Sequence, residues 1–251
     1  MPVIHGIDVE HRVSGRDLVI LHSLLADRSA FDRVAPELAR KHRLWLVNLP
    51  GYGASTAAAT SVEDYADCIA SILKEGCDVL GNGLGGFIAV ALAARHGKRI
   101  GRLIAAPALA AFPEPAKQPL RALAERVAKE GMSGALDIAI RRMFPQSFID
   151  ANPAVIEERK AALAKADPVC FRTACLALAK LDLAPVLRAI KNQTLVMAGS
   201  EDATTPPVLA RELAAGIPNA QFLQIEGCGH CPQIENPALF VRKVEAFLSP
   251  A

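Results

Sequence analysis

Three short segments hold residue types whose order along the chain could support acid–base or nucleophilic chemistry: Gly81-Asn-Gly83-Leu-Gly-Gly86, Gly199-Ser-Glu-Asp202 and Gly227-Cys-Gly-His230. An imidazole beside a carboxylate takes a proton from an attacking oxygen and returns it to a leaving group, while the carboxylate fixes the imidazole's tautomer. Each residue alone is ordinary, since a histidine after a strand is usually structural and an aspartate in a loop is usually solvated. Their sequence of glycine-rich turn, then acid, then histidine makes them a joint candidate.

The glycine segment fits two templates. It matches G-x-G-x-x-G, the turn that cradles a dinucleotide's pyrophosphate. That motif expects an acidic residue about 20 positions later for the ribose, and between Gly76 and Pro113 the only acid is Asp78, which precedes the glycines. It also opens the first βαβ unit in dinucleotide-binding folds, whereas here a long stretch of chain comes first. The second template is the nucleophile elbow G-x-S-x-G, with Gly83 in the serine position and an extra glycine at Gly86. In such an elbow a sharp strand-to-helix turn lifts residue 83 above the sheet, and small neighbours at 81, 85 and 86 tolerate the bend.

The elements that must carry these segments alternate, as in a mostly parallel sheet covered by helices. Strands are expected over 17–22, 43–48, 77–80, 102–106, 193–198 and 221–225. Helices are expected over 29–41, from a Thr60/Glu63 capping box to about Glu75, and from Leu84 to about His96. Two more helices should start at Thr205-Pro206 and Asn236-Pro237. From Phe112 to about Ile190 strand signals vanish, and helix-compatible sequence is broken by seven prolines (113, 115, 119, 145, 153, 168 and 185).

Two further segments decide between the templates. Leu21-His22-Ser23-Leu24 ends a strand where a His-Gly turn builds half of an oxyanion hole, and Asn48-Leu-Pro-Gly-Tyr-Gly-Ala-Ser55 follows the next strand. With these in place the chain resembles the α/β-hydrolase superfamily over essentially its whole length, particularly bacterial 3-oxoadipate enol-lactonases, carboxylesterases and meta-cleavage-product hydrolases. Leu181-Asp-Leu-Ala-Pro-Val-Leu, leading into Thr194-Leu-Val-Met-Ala-Gly, is similar to the enol-lactonase return from a cap. The resemblance implies a mostly parallel eight-stranded α/β sheet with helices on both faces, residues 1–111 and 191–251 forming the core and 112–190 a helical cap. It also implies His230 as general base and then acid, Asp202 as its partner, Gly83 at the nucleophile position, and the amides of Leu24 and Leu84 as oxyanion hole. Departures from the pattern are Ser23 for glycine, Asn48 for aspartate, and Gly83 for serine.

The glycine at 83 leaves three readings open. It can mark a serine hydrolase of small esters or enol-lactones whose nucleophile has been lost. It can mark an acid–base enzyme that forms no acyl intermediate, using His230 and Asp202 to activate water or abstract a proton, as a lyase or cofactor-free oxygenase would. It can mark a ligand-binding protein without chemistry. On the first reading Gly83→Ser is expected to switch activity on. Ser23, Ser55 and Ser200 sit on no elbow; Ser55 reads as turn chemistry and Ser23 as a backbone hydrogen bond near the pocket mouth. Phe112, Met132, Met143, Phe144, Phe148 and Phe171 offer apolar pocket lining, with helical core the expected fate of most.

Composition narrows the partners. With 28 basic and 26 acidic residues, net charge +2 and no block of like charge, there is no electrostatic footprint for nucleic acid, and a small-molecule substrate is expected. The longest helical apolar run, Phe87–Ala94, is eight residues, against roughly 20 needed to span a bilayer. The amino terminus lacks a signal-peptide pattern, so a soluble, cytoplasmic protein is expected, as monomer or homodimer. Six cysteines in a chain with a large core read as reduced and buried. Cys228-Gly-His230-Cys231 copies a redox motif but follows a strand and meets Pro232. Two thiolates and one imidazole within four residues cannot wrap a zinc tetrahedron, and neither metal nor cofactor is expected.

Overall fold

Short runs rich in Val, Ile and Leu form the strands of one eight-stranded sheet in the computed structural model, which describes residues 3–12 and 15–249. Met1 and Pro2, where the signal-peptide reading starts, lie outside the described residues. The strands are β1 (Val3–Ile4), β2 (Ile7–Arg12), β3 (Arg16–Leu21), β4 (His42–Asn48), β5 (Cys77–Gly81), β6 (Ile100–Ala105), β7 (Thr194–Gly199) and β8 (Ala220–Ile225). Their order is β1-β2-β4-β3-β5-β6-β7-β8. The first two strands pair antiparallel, and β2 also runs antiparallel to β4; all later pairings are parallel. Continuous burial along β5 and β7 is the pattern of parallel strands covered on both sides. The chain leaves β3 for β4 on one side and later returns to place β5 on the other. The carboxyl ends of β3 and β5 therefore flank a topological switch point, the place where an open α/β sheet leaves a crevice.

The helices are α1 (Ala35–Leu38), α2 (Val62–Ala70), α3 (Leu84–His96), α4 (Glu114–Glu130), α5 (Leu136–Met143), α6 (Gln146–Ala151), α7 (Pro153–Leu163), α8 (Pro168–Lys180), α9 (Pro207–Gly216), α10 (Pro232–Glu235) and α11 (Pro237–Leu248). They cover both faces of the sheet. Helices α4 to α8 all fall between β6 and β7 in the chain, and α4 packs along α8. The core helix α3 is apolar all round, every residue from Leu84 to Ala93 being buried.

Two local expectations need correction. The helix expected over 29–41 is a 3₁₀ turn, Arg28–Phe31, followed by the single turn α1. Pro36 lacks an N–H and its ring clashes with the carbonyl four residues back, so the helix restarts there rather than running through. The cap of α2 is Ser61 with Asp64, not Thr60 with Glu63: Ser61 accepts from the Asp64 amide at 3.0 Å while Asp64 accepts from the Ser61 amide at 3.1 Å. The Thr60 hydroxyl instead reaches the same carboxylate at 2.6 Å, moving the box on by one residue. That helix also ends at Ala70 rather than near Glu75.

Candidate active site

The turn after β5 carries Gly83 at φ 54° and ψ −117°, a backbone region that suits glycine and strains any residue with a Cβ. Gly83 N donates to the Pro107 carbonyl (3.1 Å), and its own carbonyl accepts from Phe87 N at 3.0 Å, closing the first turn of α3. This is the sharp strand-to-helix bend that the elbow reading requires. Asn82, within the same turn, donates to the carbonyls of Ala106 (2.6 Å) and His230 (2.9 Å). One side chain thereby ties the elbow to the histidine loop.

Asp202 and His230 come from the loops after β7 and β8. His230 Nδ1 donates to Asp202 Oδ2 at 2.9 Å, which leaves Nε2 as the acceptor aimed towards residue 83. The second carboxylate oxygen accepts from the amides of Thr204 (2.8 Å) and Thr205 (2.9 Å). The Thr205 hydroxyl also donates to Oδ2 and lies 3.1 Å from His230 Nδ1. Burial alone would push the Asp202 carboxyl up, but the adjacent His230 ring and these donors outweigh it and hold it below the ordinary carboxylate range. Thr205, read from sequence only as a helix start, is part of the acid's setting. Its role is visible only when β7 and β8 stand side by side.

The His230 loop is clamped from both sides of the histidine. Glu235 accepts from Gly229 N (2.7 Å) and Cys231 N (3.0 Å), and burial raises its carboxyl to about 7 against the pull of those two amides. His230 N donates to the Met143 carbonyl at 3.0 Å, so the end of α5 sits directly over the site. No side-chain periodicity along α10 marks Glu235 for this task.

The strand-end turn at 21–25 is held by His22, which is fully buried. His22 Nε2 accepts from Leu49 N at 3.0 Å, so Nδ1 carries the proton and donates to the Ser23 carbonyl at 2.8 Å. Burial depresses the imidazole to about 4, keeping it neutral for that pair of bonds. The Tyr52 hydroxyl donates to the Leu24 carbonyl. Among the described residues the amides of Leu24 and Leu84 donate to no protein group, and both belong to residues that line the same pocket as His230.

Ser23 differs from its sequence reading. Its hydroxyl makes no backbone hydrogen bond among the described residues and lies 3.5 Å from His230 Nε2. Ser55 behaves as expected of turn chemistry, donating to the Asn48 carbonyl (2.6 Å) and accepting from Asp8 N (2.8 Å). Ser200 accepts from Gly227 N at 2.9 Å and stands away from the imidazole. At Asn48 the carboxylate that the turn pattern expects comes from across the ladder, because Asp8 pairs with Asn48 in the β2–β4 register. Asp8 accepts from Asn48 (2.8 Å), Ala54 N (3.1 Å) and Arg28 (3.1 Å). Gly53, at φ 56°, is required there, since a Cβ would fall 2.5 Å from Asp8 Oδ2 and 2.1 Å from Asn48 Nδ2.

With elbow, acid and histidine assembled in this order on this sheet, comparison with known proteins becomes decisive: the sequence pattern of the alpha/beta hydrolase family matches residues 18–243. The chain belongs to that family. It is 28% identical to a pimeloyl-[acyl-carrier protein] methyl ester esterase of Aeromonas hydrophila, over 97% of this chain and 99% of that one. It is 29% identical to a 2-hydroxymuconate semialdehyde hydrolase of a Pseudomonas species, over 87% of this chain and 80% of the other. The enol-lactonase of Burkholderia xenovorans superposes with a TM-score of 0.90 at 24% identity, covering 97% and 96% of the two chains, which shows a shared fold. Membership disposes of the dinucleotide reading of Gly81–Gly86.

Cys228 and Cys231 are free and buried; burial raises the first thiol to about 11 and the second well above its ordinary value, the opposite of a redox-active cysteine. Among the described residues no cluster of His, Cys, Asp and Glu could hold a metal ion, and no helix is long and apolar enough to cross a membrane.

The pocket over the imidazole is narrow, with a cavity volume of about 20 Å³, room for about one water. Phe112, Leu120, Leu123, Arg142 and Leu178 close it from the 112–190 segment. Of the six apolar residues offered as lining, with helical core expected for most, Phe112 borders this pocket. Met143 and Phe144 border a neighbouring cleft beside His230, and Phe171 is fully buried in the helical core. Leu120 and Leu123 share the i, i+3 face of α4, a pattern the sequence carried without showing what it faced, and Leu178 comes from α8. The Arg142 side chain has no hydrogen-bond or ion-pair partner among the described residues, and burial lowers its guanidinium despite nearby Asp202.

Proposed function

We propose that this protein hydrolyses small esters or enol-lactones, with His230 as general base and acid, Asp202 as its orienting carboxylate, and the Leu24 and Leu84 amides as oxyanion hole. The observation that carries this reading is the Asp202–His230 bond of 2.9 Å, with Nε2 2.8 Å from the point where a Cβ on residue 83 would begin. The histidine is thus aimed at the place where an acyl group is attacked. Four donors on Asp202 keep it ionised, so it holds the Nδ1–H tautomer and steadies the imidazolium formed when Nε2 takes a proton. The Leu84 amide opens the thirteen-residue helix α3, whose dipole favours negative charge at that end. Gly83 offers no side-chain oxygen, so no acyl group forms on residue 83.

Residues 112–190 act as a cap that supplies the acyl pocket. The apolar lining suits a short acyl chain, and Arg142 suits a substrate whose far end is anionic. Six free cysteines fit a reducing compartment such as the cytoplasm. The test is hydrolysis of p-nitrophenyl acetate and butyrate and of a small lactone. His230→Ala should lower kcat/KM at least about 100-fold, within the range for loss of a general base, with Tm little changed. An undiminished rate in His230→Ala would sink the reading.

A further inference from the structure

We propose that Ser23 is the nucleophile, carried on the strand next to the one that normally bears it. This rests on the hydrolytic reading above and names the group that reading leaves open. β3 and β5 are parallel neighbours with Leu21 opposite Gly81. Two residues beyond the ends of those strands stand Ser23 and Gly83, and the Ser23 side chain occupies the space above Gly83. An ideal Cβ on Gly83 would lie 2.4 Å from Ser23 Oγ and 2.9 Å from Ser23 Cβ. The two positions cannot both carry an unshifted side chain. Glycine at 83 leaves Ser23 its present rotamer, and the hydroxyl lies 2.4 Å from the point where the elbow's own side chain would start.

The surroundings fit a working hydroxyl rather than a structural one. Ser23 is 2% exposed, and a buried serine of structural role bonds the backbone. Among the described residues its hydroxyl meets His230 Nε2 alone, at 3.5 Å, and catalytic hydrogen bonds are often long until substrate is bound. Its carbonyl is fixed by His22 (2.8 Å) and Ala26 N (3.2 Å), and the His22 carbonyl accepts from Gly85 N at 3.0 Å, locking the two turns together. The amides keep their places while the strands exchange tasks. Leu24 becomes the residue after the nucleophile and Leu84 the donor from the neighbouring strand, so both still face the same oxyanion.

The chemistry closes with water as the only co-reactant. Ser23 Oγ bonds to the ester carbonyl carbon as its proton passes to His230 Nε2, and the carbonyl π pair moves onto oxygen between the Leu24 and Leu84 amides. On collapse the bond from carbon to the alcohol oxygen breaks, and that oxygen takes the proton from Nε2. A water then gives its proton to Nε2 and attacks the acyl carbon, and Ser23 Oγ leaves with that proton, releasing the acid.

The experiment combines active-site labelling with turnover. The protein is treated with diisopropyl fluorophosphate, the modified residue is located by peptide mass spectrometry, and p-nitrophenyl butyrate hydrolysis is measured on wild type, Ser23→Ala, Ser23→Cys, His230→Ala and the double variant Ser23→Gly/Gly83→Ser. Labelling at position 23 is expected, lost in Ser23→Ala together with about 10³-fold or more in kcat at unchanged Tm, as for loss of a triad nucleophile. Ser23→Cys should keep acylation at that position, and the double variant should move the label to position 83. Turnover that survives in Ser23→Ala but not in His230→Ala overturns the assignment of Ser23 and leaves the hydrolytic reading standing. A label on any other residue of the wild type also overturns it. No label and no turnover in wild type or in the double variant sinks both.

Discussion

Position 83 tells how tightly a single residue can be constrained by its neighbours. From sequence, Gly83→Ser is the change expected to switch activity on. The structure argues otherwise: the new Cβ would meet Ser23 Oγ at 2.4 Å and His230 Nε2 at 2.8 Å, on a backbone at φ 54°. The Ser23 hydroxyl can turn away about its side-chain bond, but Ser23 Cβ, 2.9 Å from the new Cβ, is held by the bonds on the Ser23 carbonyl, and the left-handed backbone adds about 1–3 kcal/mol for a non-glycine residue. Gly83→Ser alone should therefore lower Tm and give no gain in esterase rate, whereas pairing it with Ser23→Gly should recover both. Thermal melts and initial rates on the single and double variants measure this. A single variant as stable as wild type and faster would show that the crowding is easily relieved.

At the scale of elements, the loop between β8 and α10 depends on one carboxylate. Glu235 bonds the amides on either side of His230 yet is raised to about 7 by burial. A carboxyl raised above its unfolded value favours the folded state while protonated, and that contribution is full below about pH 4.5 and is lost as pH climbs through about 7. Wild type should lose thermal stability between pH 5 and 8, and Glu235→Gln, which cannot titrate, should show a flatter profile over the same window. Equal slopes in differential scanning would contradict the assignment. The amides that meet Glu235 also explain why sequence did not reveal it, since a backbone donor leaves no residue type to recognise. Strands and helices were more legible, because burial on both faces writes apolar runs such as Leu195–Ala198 of β7, and α3 runs over the residues expected of it. The region around Pro36 was misread because apolar spacing persists through a position where the backbone cannot. Asp202, His230 and Gly83 were readable from motif order, while Asn82, Thr205 and the direction of the Ser23 hydroxyl depend on contacts between strands far apart in sequence.

For the whole molecule, the decisive arrangement is the carboxyl end of the central strands facing helices that belong to a separate stretch of chain. Ser23, Leu24, Leu84 and His230 meet in one pocket there, and residues of the 112–190 segment line its other side. Arg142, brought in by α5, is the charged member of that covering set. A charge-assisted hydrogen bond to a carboxylate amounts to about 1.5–3 kcal/mol. Half-esters of dicarboxylic acids should therefore be preferred over neutral esters of equal length, and Arg142→Gln should shrink that preference about tenfold or more. Competing the two ester types against wild type and variant reads the ratio directly, and an unchanged ratio would remove Arg142 from substrate selection.

The pairing of Asp8 with Asn48 carries a wider lesson. A ladder places residues 40 positions apart within 2.8 Å of each other, so an anion missing from one rung is available from the adjoining one at almost no change in shape. Scanning along a single strand for a lost group overlooks its neighbour. In a sheet, a vacancy in a motif is best sought sideways.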